Sequence, residues 1–260
     1  MTDRQLSQAA TRLLEAYKDQ KPIDPLTEEF PDLTTEEAYR IQLLTIRSRV
    51  ADGGKIVGKK IGLTSPAMQQ MFNVGEPDYG HLLDDMLGYQ GFGLSAAKLL
   101  QPRVEGEIAF ILKKGIKGPG VTPTDVLRAT AGVTAALEII DSRIRDWKIK
   151  IQDTVADNAS SGAFVLGARM LPVNDIDLRH VGFVLSKNGQ TVGTGAGAAV
   201  LGSPAQSVAW LANRLAAFGI GLEPGEIILS GSAVAAVPVK SGDSVHLVVD
   251  RIGEVGCFFG

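Results

Sequence analysis

The sequence predicts an α+β protein with helices gathered at its front and strands behind. Three observations carry this. Two capped amphipathic helices occupy the first fifty or so residues, and glycine-punctuated strand patterns begin at Lys55. After the short segments that follow, one clear helix interrupts an otherwise strand-rich remainder, so a regular βαβ alternation is not expected. The expected division is a helical region over residues 1–54 and a second unit over residues 55–260.

Thr2 and Gln5 form the first capping box, and Leu6, Ala10, Leu13, Leu14 and Tyr17 follow at helical spacing. Lys21-Pro22-Ile23-Asp24-Pro25 ends that helix. A second box, Thr34 to Glu37, opens a helix whose Tyr39, Leu43, Ile46 and Val50 share a face, and Asp52-Gly53-Gly54 closes it. Residues 55–64 read as a strand in which glycines allow close approach. Ser65-Pro66 then caps a short helix running to Met71. Val104–Leu112 reads as a strand, Gly115–Gly120 as a turn, and a short helix follows Thr124. Ala135–Ile140 is a further strand, and Lys187-Asn188-Gly189 signals a hairpin between residues 181–185 and 190–192. Ser203-Pro204 opens the late helix, with Val208, Leu211, Leu215 and Phe218 on its apolar face and Gly219 stopping it. Strands and turns such as Ser241-Gly242-Asp243 fill residues 226–259.

Composition narrows the function. The 260 residues are 45% hydrophobic and 21% charged, as in an ordinary globular protein. A net charge of −3 with scattered Lys and Arg gives no reason to expect nucleic acid or an anionic membrane as partner. No apolar run approaches the ~20 residues of a membrane span, and residues 1–5 lack a signal-peptide core. Cys257 is the sole cysteine, which excludes an intrachain disulfide and a cysteine zinc site and fits a reducing cytoplasm.

The chemistry concentrates in carboxylates. Glu138 lies in the apolar run Ala135–Ile140, and a lone buried carboxylate must be paired, neutralised or metal-bound. In the strand Val104–Leu112, Glu105 and Glu107 share a face while Val104, Gly106, Ile108, Phe110 and Leu112 take the other. Two carboxylates about 6–7 Å apart on one strand repel, and a third nearby calls for a cation. Oxygen ligands suit Mg²⁺ or Mn²⁺ rather than zinc. Alone, such a Glu-x-Glu is ordinarily a solvated face, and Glu138 could instead pair with Arg143 or Arg145. Lys59 and Lys60 point to opposite strand faces, so at most one serves a given pocket; two solvated lysines is the alternative. Residues 155–162 suit either an ordinary loop or a cradle for a substrate carboxylate, and Asp78 has a turn-forming default. His81, His180 and His246 lack ligand spacing. Gly193–Ala198 is a poor dinucleotide fingerprint, since the next helix begins only at Pro204, and its glycines instead suggest tight packing.

Four motifs together resemble the hydratase/decarboxylase branch of the fumarylacetoacetate hydrolase superfamily: residues 58–65, the Glu-x-Glu strand, residues 137–143 and residues 155–160. Within that branch, Lys59-Lys60 and residues 145–149 look similar to 2-hydroxypenta-2,4-dienoate hydratases of aromatic meta-cleavage catabolism. The resemblance implies that residues 55–260 form a mixed β-roll core holding Mg²⁺ or Mn²⁺ on Glu105, Glu107 and Glu138. It implies Lys60 and Asp78 as catalytic groups, Asp157 and Ser160 as substrate-binding groups, and a cytoplasmic homo-oligomer that can associate with a neighbouring pathway enzyme. The implied activity is a metal-dependent hydro-lyase that converts the small-molecule 2-hydroxydienoate to 4-hydroxy-2-oxopentanoate. Alternatives are a 4-oxalocrotonate decarboxylase, an acylpyruvate hydrolase, for which no convincing His-x-x-Glu is present, and a non-catalytic subunit supporting a partner enzyme.

Overall fold

The computed structural model describes residues 1–71 and 73–260. Helix α1 (Asp3–Asp19) starts at the Thr2–Gln5 capping box and buries Leu6, Ala9, Ala10, Leu13 and Ala16. Tyr17, expected on that face, is exposed. A single turn, α2 (Leu26–Glu29), leads to α3 (Thr35–Ala51), capped reciprocally by Thr34 and Glu37. The buried stripe of α3 differs from the expected one. It runs through Ala38, Tyr39, Ile41, Gln42, Thr45 and Ile46, while Leu43 is partly buried and Val50 is exposed. Gln42 can be buried because its amide donates to the carbonyls of Tyr79 and Val155 at 3.0 and 2.7 Å.

Strand β1 (Ile56–Gly62) and helix α4 (Pro66–Met71) lie where expected. Next comes β2 (Asp78–Leu83), buried throughout, so the turn-forming default for Asp78 does not hold. Short strands β3 (Leu87–Tyr89) and β4 (Gly93–Leu94) precede β5 (Arg103–Leu112). Helix α5 (Pro123–Ala129) starts two residues earlier than the expected helix after Thr124, because Thr122 caps it. It feeds β6 (Thr130–Ile140), longer than the expected strand by its first five residues. Helix α6 (Ile151–Ala156), a 3₁₀ turn at Asn158–Ser160 and β7 (Ser161–Leu166) run through residues 155–162, so the ordinary-loop alternative for that segment does not hold.

Strands β8 (Gly182–Lys187) and β9 (Gln190–Ala196) form the expected hairpin. Its Asn188 and Gly189 both have positive φ, at 52° and 78°, the signature of the tight turn that matches strand twist. Gly195 and Gly197 pack tightly rather than binding a nucleotide. A Cβ there would meet the carbonyls of Ala233 and Leu178 at 2.0 and 1.8 Å. Helix α7 (Pro204–Ala216) is followed by β10 (Ile227–Leu229), β11 (Val237–Pro238), β12 (Ser244–Val249) and β13 (Gly253–Phe259).

The strands make two sheets. One runs β2-β1-β10-β5-β6-β7-β3, with β11 also on β5, and the other runs β4-β13-β12-β8-β9. The first mixes parallel pairs (β1 with β10, β3 with β7) and antiparallel ones, and its centre is buried on both faces. One face, through Val104, Ile108, Phe110, Leu137 and Ile139, joins the main core with Leu247 and Val255 of the second sheet. Leu6, Leu13, Tyr39 and Ile41 of the front helices belong to that same core. The opposite face carries a smaller apolar cluster of Ile46, Leu82, Ala109, Ala136, Phe164 and Leu229, and there the carboxylates stand. The helical front and sheet-rich body make this an α+β fold.

Candidate metal centre and active site

Register assembles the site. Antiparallel β5 and β6 place Glu105 directly opposite Glu138, and Glu107 opposite Ala136. Cross-strand partners share a face and so do residues two apart, so all three glutamates project to the same side. Carboxylate oxygens of Glu105, Glu107 and Glu138 all lie within 4.8 Å of one another. The solvated-face alternative fails: Glu107 and Glu138 are buried and Glu105 partly so. The arginine alternative fails too. Arg143 pairs with Asp157 and Arg145 with Asp24.

Lys60 Nζ stands 3.2 Å from Glu138 Oε1. The same alternation sends Lys59 to the other face, where it pairs with Glu226. Both lysines are buried, so neither is a solvated strand residue. Burial alone would lower the pKa of Lys60. The charges of Glu138, Asp78, Glu105 and Glu107 outweigh that and hold it above the usual lysine value. Asp78 pairs in register with Gly62, two residues from Lys60 and on its face. A Cβ on Gly62 would sit 2.2 Å from Asp78 Oδ1 and 3.4 Å from Lys60 Nζ, so glycine there makes room for both side chains. Burial raises the Asp78 carboxyl above its ordinary range, with Lys60 opposing.

Four carboxyl groups therefore face a single lysine. Burial, then Glu138, pushes the Glu105 carboxyl up to about 7, and the same two causes, in that order, hold Glu107 well above the usual carboxylate range. Glu107 Oε2 accepts the Gly231 N–H at 2.7 Å, but Glu107 Oε1 and both oxygens of Glu138 are buried without a hydrogen-bond partner among the described residues. Orphaned buried acceptors of this kind are costly. A hard divalent cation bound by oxygen would satisfy them and offset the repulsion, so the donor set fits Mg²⁺ or Mn²⁺.

Beside the site, residues 158–160 adopt an uncommon backbone. Asn158, Ala159 and Ser160 have φ of 54°, 49° and 55°, three consecutive non-glycine residues in the left-handed region. Side chains hold this turn in place. The Asn158 amide accepts from the His81 N–H at 2.8 Å and donates to the His81 carbonyl at 2.9 Å. Arg143 donates to both Asp157 carboxylate oxygens and to the carbonyls of Asp157 and Ser161. Asp157 thus has a partner that sequence reading did not assign, and Ser160 Oγ lies 3.2 Å from Thr154 Oγ1. Gly80, opposite Lys60 in β2, lets the turn approach, since a Cβ there would meet the Asn158 carbonyl at 2.4 Å.

Sequence reasoning missed Glu226, the Gly231 amide and the space-making role of Gly80, whereas Gly62 lies in the strand whose glycines were expected to allow close approach. Gly80 carried no strand signal of its own, because Pro77 and Asp78 before it read as a turn.

A mixed curled sheet bearing a buried acidic cluster that could hold a metal ion is the feature that comparison with known proteins places in a family. The family described as fumarylacetoacetate (FAA) hydrolase, C-terminal, matches residues 92–257. A 2-hydroxyhexa-2,4-dienoate hydratase of Comamonas testosteroni is 51% identical over 262 residues, covering 100% of this chain and 99% of that protein. A 2-hydroxypent-2,4-dienoate hydratase of Pseudomonas putida is 51% identical over 83% of this chain and 97% of its own. Among solved structures, a 4-oxalocrotonate decarboxylase from Pseudomonas putida, complexed with magnesium and adipate, superposes with a TM-score of 0.97 at 40% identity, covering 100% of this chain and 99% of that one. The chain belongs to the fumarylacetoacetate hydrolase family.

Proposed function

We propose that this protein is a divalent-metal-dependent hydro-lyase that adds water to 2-hydroxypenta-2,4-dienoate, giving 4-hydroxy-2-oxopentanoate in the meta-cleavage breakdown of aromatic compounds. The observation that carries the reading is the buried Glu105–Glu107–Glu138 cluster facing Lys60, in a chain half-identical along its length to a hydratase. Glu105, Glu107 and Glu138 would hold the cation, for which Mg²⁺ is the first choice given the magnesium in the related decarboxylase structure. When bound, the cation supplies a Lewis acid that stabilises negative charge developing on a substrate oxygen.

The remaining chemistry falls to protein groups. Lys60 adds positive charge on the same sheet face, suited to a substrate carboxylate or enolate oxygen. Asp78, with a raised pKa and an unpartnered Oδ1, can hold the proton that C5 gains as the enol O–H proton is lost. Water oxygen then bonds to C4 and the second proton goes to C3, which balances as net addition of one water. The Asp157–Ser160 turn, with Asp157 shaping it and Ser160 within it, borders the substrate in this reading. The catalytic unit spans residues 55–260 with residues 1–54 packed onto it. Exposed Tyr89, Phe92 and Phe258 support assembly into a homo-oligomer.

The structural likeness to a decarboxylase favours a second reading, loss of CO₂ from 4-oxalocrotonate. Incubating the Mg²⁺-loaded enzyme with each dienoate, and measuring water addition and CO₂ release in parallel, separates the two. Hydration of the pentadienoate without CO₂ from the dicarboxylate is the expected result. CO₂ release as the main turnover would reverse the assignment.

A further inference from the structure

Lys60 sits among four carboxyl groups, those of Glu138, Asp78, Glu105 and Glu107. Even with a divalent cation bound, the centre would stay formally negative and repel an anionic substrate. A cation on the way in would offset this, and strand register supplies one. Arg103 stands opposite Ile140 at the start of β5, on the face of Glu105 and Glu107. Burial falls along that face. Ala109 belongs to the apolar cluster and Glu107 is fully buried, whereas Glu105 and Arg103 are partly exposed. The interior therefore opens toward the Arg103 end of the strand. We propose that Arg103, seated on Trp147 at this mouth, captures the anionic substrate and passes it to the site. The inference rests on the functional reading above and adds to it the residue that governs entry.

The guanidinium is held in place and left open. Its carbon lies 4.8 Å from the centre of the Trp147 ring, and among the described residues no hydrogen bond or ion pair takes up its N–H groups. A guanidinium stacked by its face keeps its edge free for the two oxygens of a carboxylate. The ring beneath it is itself fixed. Trp147 Nε1 donates to the Gln101 carbonyl at 3.0 Å, and the Gln101 side-chain amide donates to the carbonyls of Ser142 and Ile144. The backbone N–H groups of Leu100 and Gln101 donate to the Asp141 carboxylate. These contacts hold Asp146 and Trp147 at φ of 56° and 55°, a left-handed backbone that costs energy in non-glycine residues. The Arg103 charge also reaches Glu105, where it opposes the rise that burial and Glu138 impose on that carboxyl. Beyond Arg103 lies an open cavity of about 790 Å³, whose walls carry Arg103 and Lys240 and, among the described residues, no acidic side chain. The C-terminal Gly260 brings one carboxylate against those two cations. Of the two, Arg103 is the one that shares a strand face with the glutamates.

The test measures kcat and kcat/KM for hydration of 2-hydroxypenta-2,4-dienoate by the Mg²⁺-loaded enzyme. Calorimetry adds the Kd of Mg²⁺, and that of 2-oxopentanoate, an anion with no alkene to hydrate. Arg103→Gln should lower kcat/KM and 2-oxopentanoate affinity by about tenfold, the lower end of what electrostatic capture gives, and change kcat by less than about threefold. The deficit should shrink at about 1 M salt, where exposed charges are screened. Mg²⁺ should bind this variant at least as tightly as the parent, because a positive charge beside Glu105 is gone. A merely structural role would weaken cation and anion together. Arg103→Lys, which keeps the charge, should recover most of the loss. Trp147→Leu, which removes the seat, should weaken 2-oxopentanoate by about threefold and leave Mg²⁺ binding unchanged. Arg103→Gln values within about twofold of the parent, or Mg²⁺ and 2-oxopentanoate weakened alike, would overturn the proposal while leaving the hydratase reading intact. No water addition by the parent enzyme would overturn the hydratase reading, and the 2-oxopentanoate and Mg²⁺ affinities would then decide for or against Arg103.

Discussion

Glu138 has both carboxylate oxygens buried and without hydrogen bonds, next to a lysine and two further glutamates. Replacement by Gln keeps the shape and removes one charge from the ligand set. Glu138→Gln should retain the fold, weaken Mg²⁺ binding in calorimetry, and lower turnover by about two orders of magnitude or more, since cation-stabilised charge is worth several kcal/mol. Normal turnover of this variant in the presence of chelator would remove the glutamates from the chemistry. The adjacent lysines make a sharper comparison. Lys60→Met should abolish most turnover. Lys59→Met should keep turnover per folded molecule but destabilise, by about 3–5 kcal/mol, because buried Glu226 loses its partner. Denaturant unfolding and steady-state kinetics on both variants check this, and equal kinetic losses would contradict the opposite-face placement.

At the scale of elements, β2 is the main departure from expectation. Pro77 and Gly80 are turn-type residues, yet Asp78–Leu83 pairs with β1 along its whole length and is buried. Its glycine serves the close approach of the Asn158–Ser160 turn rather than a bend. This packing also explains His81, whose imidazole is held down to about 3 by burial first and by the Lys59 charge second. The unfolded chain binds a proton at the ordinary value of 6.5, the folded chain only near 3. Between those values the unfolded state carries more protons, so stability is intact above about 6.5 and erodes as pH falls, by up to about 1.4 kcal/mol per unit. In His81→Asn, where an amide can replace the Nδ1–Gln42 contact, urea-unfolding free energy should depend less steeply on pH across that window. An unchanged slope would assign acid sensitivity to other groups.

At the scale of the whole molecule, the first sheet brings together residues far apart in the chain, from Lys60 to Gly231, around like charges that destabilise the fold in the absence of a cation. A ligand that binds only the folded state stabilises by mass action, about 2.7 kcal/mol at a hundredfold excess over Kd. Mg²⁺ should therefore raise the melting temperature by about 5–10 °C, and chelator should reverse it. The increment should shrink in Glu138→Gln, whose cation-free form should itself melt higher than the cation-free parent because one repelling charge is gone. A melting temperature indifferent to Mg²⁺ in the parent protein would argue against a cation between these carboxylates. No described helix is long and apolar enough to cross a membrane.

Local rules made much of this legible from residues alone. Capping boxes at Thr2 and Thr34, the Asn188-Gly189 hairpin and the shared face of Glu105 and Glu107 each depend on residues close in sequence, where helix period and strand alternation act directly. The apolar run around Glu138 likewise marked that carboxylate as buried before any contact was known. Tertiary structure alone decided that Glu138 stands opposite Glu105, that Arg143 serves Asp157 and that Asp78 sits in a strand, and it puts Lys60, which the family resemblance had already singled out, on the face of the glutamates. Those outcomes depend on strand register and on which sheet face is covered. A one-residue slip would turn every side chain of a strand to the other face, and only long-range packing of the two sheets and the front helices holds the register in place.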